Sequence, residues 1–198
     1  MRADLQVVAG LVPAGSQVLD LGCGDGSLLE HLMRERDCRG SGVEISDDGF
    51  LACLERGVPV LQGDIDRGLD GIADDHYDVV ILSQTLHALR RPAFVVQEMM
   101  RVAECAVLSF PNFGHWRARA QLALRGRMPV SRTLPHPWYD TPNIHLCTLL
   151  DFQDLTVELG LRAERCVLLD ADGRPAPERV GRRPNLLAAG AVYRITRP

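Results

Sequence analysis

The chain alternates short, nearly unbroken apolar runs with stretches whose apolar positions recur every three or four residues. The first pattern predicts strands buried on both faces; the second predicts helices laid over them. Gln17–Leu21 is such a run and leads straight into glycines. Residues 27–36 set Leu28, Leu29, Leu32 and Met33 on one helical face. A second strand is expected at 41–45, followed by a helix at 47–56 with Phe50, Leu51 and Leu54 inward. Val58 to Leu61 predicts a third strand, and the β-branched run 77–82 a central fourth one. Pro92 opens a helix to Val102, because proline at the first helical position gives up no hydrogen bond. Residues 105–110 form a fifth strand, stopped by Pro111. Thr148 and Asp151 have capping-box spacing ahead of Phe152, Leu155 and Leu159, and Gly160 stops that helix. Residues 165–169 and 188–195 predict two last strands, joined by a loop rich in Pro, Gly and Arg. This order predicts a doubly wound α/β sheet that takes a ligand at the carboxyl ends of its strands.

The most informative stretch is Val18-Leu19-Asp20-Leu21-Gly22-Cys23-Gly24-Asp25-Gly26-Ser27-Leu28. Glycines suit a strand-to-helix turn where a ligand approaches the backbone too closely for a Cβ. A dinucleotide site would want a glycine where Ser27 stands. Asp20 and Asp25 would also repel a pyrophosphate, with no Lys or Arg between Arg2 and Arg34 to offset them. The charges suit a ligand carrying a sulfonium and an ammonium group.

This segment resembles the first motif of the class I S-adenosylmethionine-dependent methyltransferases, an acidic residue followed by G-x-G-x-G, matched by Asp20, Gly22, Gly24 and Gly26. The resemblance implies a Rossmann-like, mostly parallel sheet with a C-terminal antiparallel strand. It also implies S-adenosylmethionine or S-adenosylhomocysteine as cofactor, its methionine part held by Asp20 and the loop. The second acidic position matches Glu44, beside Ile45, where a carboxylate can accept both ribose hydroxyls. Gly63-Asp64-Ile65 matches the adenine-contacting motif, and Ser83 a position that faces the cofactor.

Composition narrows the class further. The 198 residues fit a single domain spanning 1–198, with 46% hydrophobic and 24% charged residues typical of a folded protein. A net charge of −4 argues against general nucleic-acid binding. The 6 cysteines are scattered without a C-x-x-C pair, as expected of small core residues in a reducing compartment. No apolar run approaches the ~18 residues of a membrane span, so a soluble, cytoplasmic protein without membrane attachment is expected.

Residues 112–147 break the alternation and read as a lid or docking insertion. Arg117, Arg119, Arg125, Arg127 and Arg132 make it locally basic, either as a stripe or as a solvated helix face. His115, His136 and His145 fit no ligand spacing, so no metal is expected. After the fourth strand, Leu82-Ser83-Gln84-Thr85-Leu86-His87 lacks the signature of exocyclic-amine methyltransferases, and no Pro-Cys nucleophile occurs. His87 reads as structural, and no residue identifies a methyl acceptor. The segments Pro111-Asn112-Phe113-Gly114-His115-Trp116-Arg117 and Trp138-Tyr139-Asp140-Thr141-Pro142-Asn143-Ile144-His145 closely resemble the MetW-type methionine biosynthesis family. That resemblance implies a cofactor-binding, methyltransferase-like partner or regulator of a homoserine O-acyltransferase. Trp138, Tyr139, Asp140, Asn143 and His145 are the candidate partner or lid residues. The other class is a methyltransferase acting on an unidentified small molecule.

Overall fold

The computed structural model describes residues 1–198. Its strands are β1 (Gln17–Leu21), β2 (Arg39–Glu44), β3 (Val60–Gln62), β4 (Tyr77–Ser83), β5 (Ala103–Pro111), β6 (Arg162–Leu169) and β7 (Gly190–Thr196). They join one sheet in the order β3-β2-β1-β4-β5-β7-β6. β1 to β5 pair in parallel, while β7 runs antiparallel between β5 and β6. The order reverses between β1 and β4, and a crevice opens at the carboxyl ends of those two strands, as doubly wound sheets require.

Successive residues face opposite sides of the sheet. Val18, Val79, Ile81, Cys105 and Val107 pack on one face with α1 (Ala3–Leu11), α2 (Ser27–Glu35) and Cys53 of α3 (Asp47–Glu55). Leu19, Leu21, Val80, Leu82, Ala106, Leu108 and Phe110 pack on the other, with α4 (Pro92–Val102) and α6 (Leu149–Glu158). Asp20 therefore shares the side of Val18. The Thr148–Asp151 capping box is complete, each side chain accepting from the other residue's backbone N–H.

Several local expectations change. α1 was not expected; its Leu5, Val8, Ala9 and Leu11 are buried against the sheet. On α3, Leu51 and Leu54 are exposed at 55% and 51%, Phe50 is half-buried, and Cys53 alone is buried. The cause lies beneath that helix: β3 is three residues long and its own Leu61 is exposed, so little sheet is present to cover. Pro111 is the last residue of β5 rather than a stop before it, opposite Gly190 of β7. β6 begins three residues earlier than expected, with an irregularity between Ala163 and Arg165. Within residues 112–147, α5 (Trp116–Arg125) has no buried residue, and only α7 (Pro184–Leu187) and a 3-10 turn interrupt the β6–β7 connection.

Candidate cofactor site

β1 ends in a turn that only glycine adopts easily: Gly22, Gly24 and Gly26 have φ of 69°, 57° and 73°. The turn is preformed. Gly22 N–H donates to Val43 O at 2.8 Å, Gly26 N–H to Cys23 O at 3.0 Å, and Gly24 N–H to Glu44 Oε2 at 2.8 Å. Ser46 N–H donates to the other Glu44 oxygen at 2.9 Å, so this buried carboxylate ties the end of β2 to the glycine loop. Each of its oxygens keeps a second lone pair for a ligand hydroxyl.

Beside the loop lies a cleft of about 950 Å³ whose walls include Asp20, Gly22, Gly24, Asp25, Ser83 and Gln84, together with Arg2 and Leu5 of the N-terminal segment. Asp20 is 2% exposed and its Oδ1 has no hydrogen-bond partner. Burial first, and then the neighbouring charge of Glu44, pushes its carboxyl up to about 8. A buried acid in this state answers a cation brought next to it, since the cation stabilises the ionised form. At Gly24 a Cβ would meet no atom of the protein within 4 Å. Its backbone lines open cleft, a cradle that a side chain would fill. An unpartnered acid and an open glycine fit a cationic ligand laid against the loop.

The other expected residues are placed less uniformly. Gly26 is backed by Cys53, whose Sγ a Cβ there would approach to 2.9 Å, so its role is close packing at the start of α2. Ser83 lines the cleft half-buried, and its hydroxyl pairs with that of Ser109 at 3.0 Å. Asp64 stands one residue past Gly63, whose N–H donates to Glu44 O at 3.0 Å, so the second and third loops are neighbours. Its carboxylate accepts from Asp66 N–H at 3.0 Å and pairs with Arg67 at 3.6 Å. Ile45 is 64% exposed, whereas the Ile65 side chain is packed into the core. Neither isoleucine, nor Glu44 or Asp64, is among the walls of the 950 Å³ cleft.

The electrostatic expectation for the loop narrows. Asp25 is not an uncompensated acid: Arg56, which caps the C-terminus of α3, reaches it at 2.8 Å and Glu30 at 3.0 Å. Against its partial burial, hydrogen bonds from Ser27 and the Arg56 charge hold Asp25 below its ordinary value. Arg2 and Arg34 also line the cleft. With Asp25 paired, the attraction for a cation at the glycine loop rests on Asp20, with Glu44 behind it, while Glu30 and Glu35 share the cleft wall with Arg34 and Arg56. Arg56, Ser109 and Gln84 were missed in the sequence. Gln84 has a φ of 55°, and its N–H donates to Ser109 O at 2.8 Å, a strained turn at the end of β4 with no glycine to announce it.

A second cavity of about 590 Å³ shares Arg2 and Gln84 with the first and is walled by His87, Arg132, His136, Asn143 and Asp170 among others. Burial drives the His87 imidazole down to about 4, leaving it neutral, and its Nδ1 has no partner. The His87 carbonyl accepts from Ile144 N–H at 2.8 Å and from His145 N–H at 2.9 Å, which ties the end of the 112–147 segment to the turn after β4. Trp138 and Tyr139 stand 73% and 75% exposed, edge to face with each other at 5.8 Å. Asp140 is exposed, and its N–H donates to Pro137 O. No group of three or more His, Cys, Asp or Glu side chains is arranged to hold a metal ion, and no helix is long and apolar enough to cross a membrane.

Comparison with known proteins places these features in a family. The family model described as methionine biosynthesis protein MetW matches residues 2–195. A bifunctional methionine biosynthesis protein MetXA/MetW of Rhodopirellula baltica is 35% identical over the whole chain, which spans 33% of that relative. Among solved structures, an S-adenosylmethionine-dependent methyltransferase from Mesorhizobium loti superposes with a TM-score of 0.72 at 17% identity, covering 98% of each chain. One from Archaeoglobus fulgidus gives 0.68 at 20% identity, covering 99% of this chain and 92% of that one. The fold is thus the Rossmann-like fold of the class I methyltransferases, and the chain belongs to the MetW family of methionine biosynthesis proteins.

Proposed function

We propose that the protein binds S-adenosylmethionine or S-adenosylhomocysteine in the 950 Å³ cleft and acts as a partner or regulator of a homoserine O-acyltransferase. The observation that carries the cofactor half is the buried Asp20 carboxyl, unpartnered at Oδ1 beside the open backbone of Gly24. Asp20 would face the cationic methionine end, the glycine loop would receive the ligand's body, and Glu44 would offer its free lone pairs to the ribose. Asp64, on the loop that Gly63 ties to Glu44, would face the adenine end in this reading. When bound, S-adenosylmethionine supplies an electrophilic methyl group and S-adenosylhomocysteine does not.

Two features support the partner half. The relative from Rhodopirellula baltica joins a MetW sequence to MetXA in one chain. On this chain, Trp138 and Tyr139 project from the insertion without packing on its body, as interface anchors do. In this reading residues 112–147 are a docking or gating insertion of one cofactor-binding domain, with Asp140, Asn143 and His145 fixing its orientation.

The second cavity favours the other reading, a methyltransferase for a small molecule, because it opens beside the cofactor cleft and shares two walls with it. One measurement tests the cofactor site that both readings share, and a second tests the partner role. Calorimetry is expected to detect both S-adenosyl ligands and no NAD; equal binding of NAD would overturn the cofactor assignment. The homoserine acyltransferase of the same organism, assayed with and without this protein, is expected to change in rate. An unchanged rate and no complex would remove the partner role.

A further inference from the structure

We propose that Cys23 and Cys53 are an oxidisable pair, which a small peroxide converts to a disulfide when the cofactor cleft is empty, thereby closing it. The inference rests on the cofactor reading above for its consequence, though not for its chemistry.

Cys23 is the middle residue of Gly22-Cys23-Gly24, and Cys53 is the one buried residue of α3. Their sulfurs lie 3.6 Å apart, in contact across the seam between loop and helix. Cys53 S–H also donates to Gly24 O at 3.2 Å, so the helix thiol already supports the residue whose backbone lines the cleft. Access is unequal. Cys53 is fully buried, whereas Cys23 is 8% exposed and is itself part of the cleft wall. A small oxidant reaches the pair through the cleft and meets Cys23 first. A ligand seated in the cleft covers that path.

The step balances with a hydroperoxide as oxidant. The Cys23 sulfur attacks the distal peroxide oxygen, the O–O bond breaks, and water or an alcohol leaves, giving a sulfenic acid. The Cys53 sulfur then attacks the Cys23 sulfur; the S–O bond breaks, and hydroxide leaves with the Cys53 proton as water. The peroxide is reduced and two thiols are oxidised. Burial, with the charges of Asp20 and Glu44, holds Cys23 above its ordinary value, so the resting pair is two thiols and its oxidation is slow. Drawing the sulfurs from 3.6 Å to about 2.05 Å removes the bond from Cys53 to Gly24 O and pulls the loop toward α3. The turn that receives the ligand is then misplaced.

The test treats the ligand-free, full-length protein with excess hydrogen peroxide, maps its peptides without reduction, and titrates S-adenosylhomocysteine before oxidation, after it, and after dithiothreitol. The expected result is a Cys23–Cys53 linked peptide and an affinity at least ten-fold weaker, restored by dithiothreitol. Protein preloaded with S-adenosylhomocysteine should link far more slowly. Cys53→Ala should give no linked peptide and should leave a sulfenic acid at Cys23 that dimedone traps. Oxidation of the exposed Cys166 without any linked peptide would overturn the proposal, as would a linked protein of unchanged affinity. Reduced protein that binds no S-adenosylhomocysteine sinks the cofactor reading and the gating with it. Reduced protein that binds it but never links sinks the disulfide alone.

Discussion

Replacing Asp20 by asparagine removes a titrating group from the floor of the cleft while keeping its size. The wild-type carboxyl is pushed from 3.8 to about 8, by burial and then by Glu44. Between those values the folded protein holds a proton that the unfolded chain has released, so folding is opposed by the free energy of taking that proton up. Each pH unit above the unfolded value adds about 1.4 kcal/mol, or about 4 kcal/mol near neutral pH. A raised carboxyl favours the fold at low pH, and that support is lost as pH climbs from about 4 to about 8. Asparagine has no such dependence. The ligand-free Asp20→Asn protein should therefore be more stable than wild type near neutral pH by about 4 kcal/mol, a gain in Tm on the order of 10 °C. The gap should shrink steadily with acidification and close near pH ~4. The same change removes the carboxylate that answers the ligand's cation, so S-adenosylmethionine affinity should fall while stability rises. Urea unfolding of both proteins at several pH values, beside calorimetry, reads both effects. A variant less stable than wild type at neutral pH, or a gap that does not move with pH, would refute the account of Asp20.

Gly24→Val should abolish cofactor binding, since the space beside its Cα belongs to the cleft and its φ of 57° opposes any branched residue. Glu44→Ala should weaken binding by about 1.5–3 kcal/mol, the worth of a charged hydrogen-bond acceptor, as read by calorimetry. Trp138→Ala should leave the melting curve nearly unchanged, because the ring is 73% exposed, yet cost at least ~2 kcal/mol in association with the acyltransferase; a large fall in Tm with intact association would reverse that assignment. Asp140→Asn should reduce the same association without altering cofactor affinity. A thiol reagent should label exposed Cys166 quickly and buried Cys105 only on unfolding, and rapid native labelling of Cys105 would contradict its place inside β5.

The succession of strands and helices and the glycine loop are legible because each strand and the Asp20–Gly26 turn are contiguous in sequence, whereas the order of strands across the sheet is set by pairing in space. Burial on both faces also leaves an apolar run that few other structures produce. What escaped was made by approach in space. Arg56 neutralises Asp25 from 31 residues away, so a count of charges near the loop missed it. α1 begins after Arg2 without a side-chain cap, so no capping residue in the sequence marks its start. On α3 the apolar pattern predicts the helix but not its buried face, since periodicity does not report how much sheet lies beneath. The proline-rich, aperiodic setting of Trp138 and Tyr139 marks a loop, but that the pair stands 73% and 75% exposed is seen only in the structure.

The position of β7 shapes how the protein can be made. It is the last strand in the sequence, yet it fills an inner place, pairing Cys105–Pro111 on one side and Arg162–Leu169 on the other. While the chain is being synthesised, the apolar β5 waits with one edge open, a template for pairing with another nascent chain. β6 has no sheet to join until Gly190–Thr196 arrives between them. Closure therefore depends on contacts of long sequence separation made late, the slow kind. A premature stop or a protease cut ahead of Gly190 removes the seam that holds β6 to the rest rather than a frayed margin, and such fragments should be cleared or aggregate instead of surviving as shortened, functional chains.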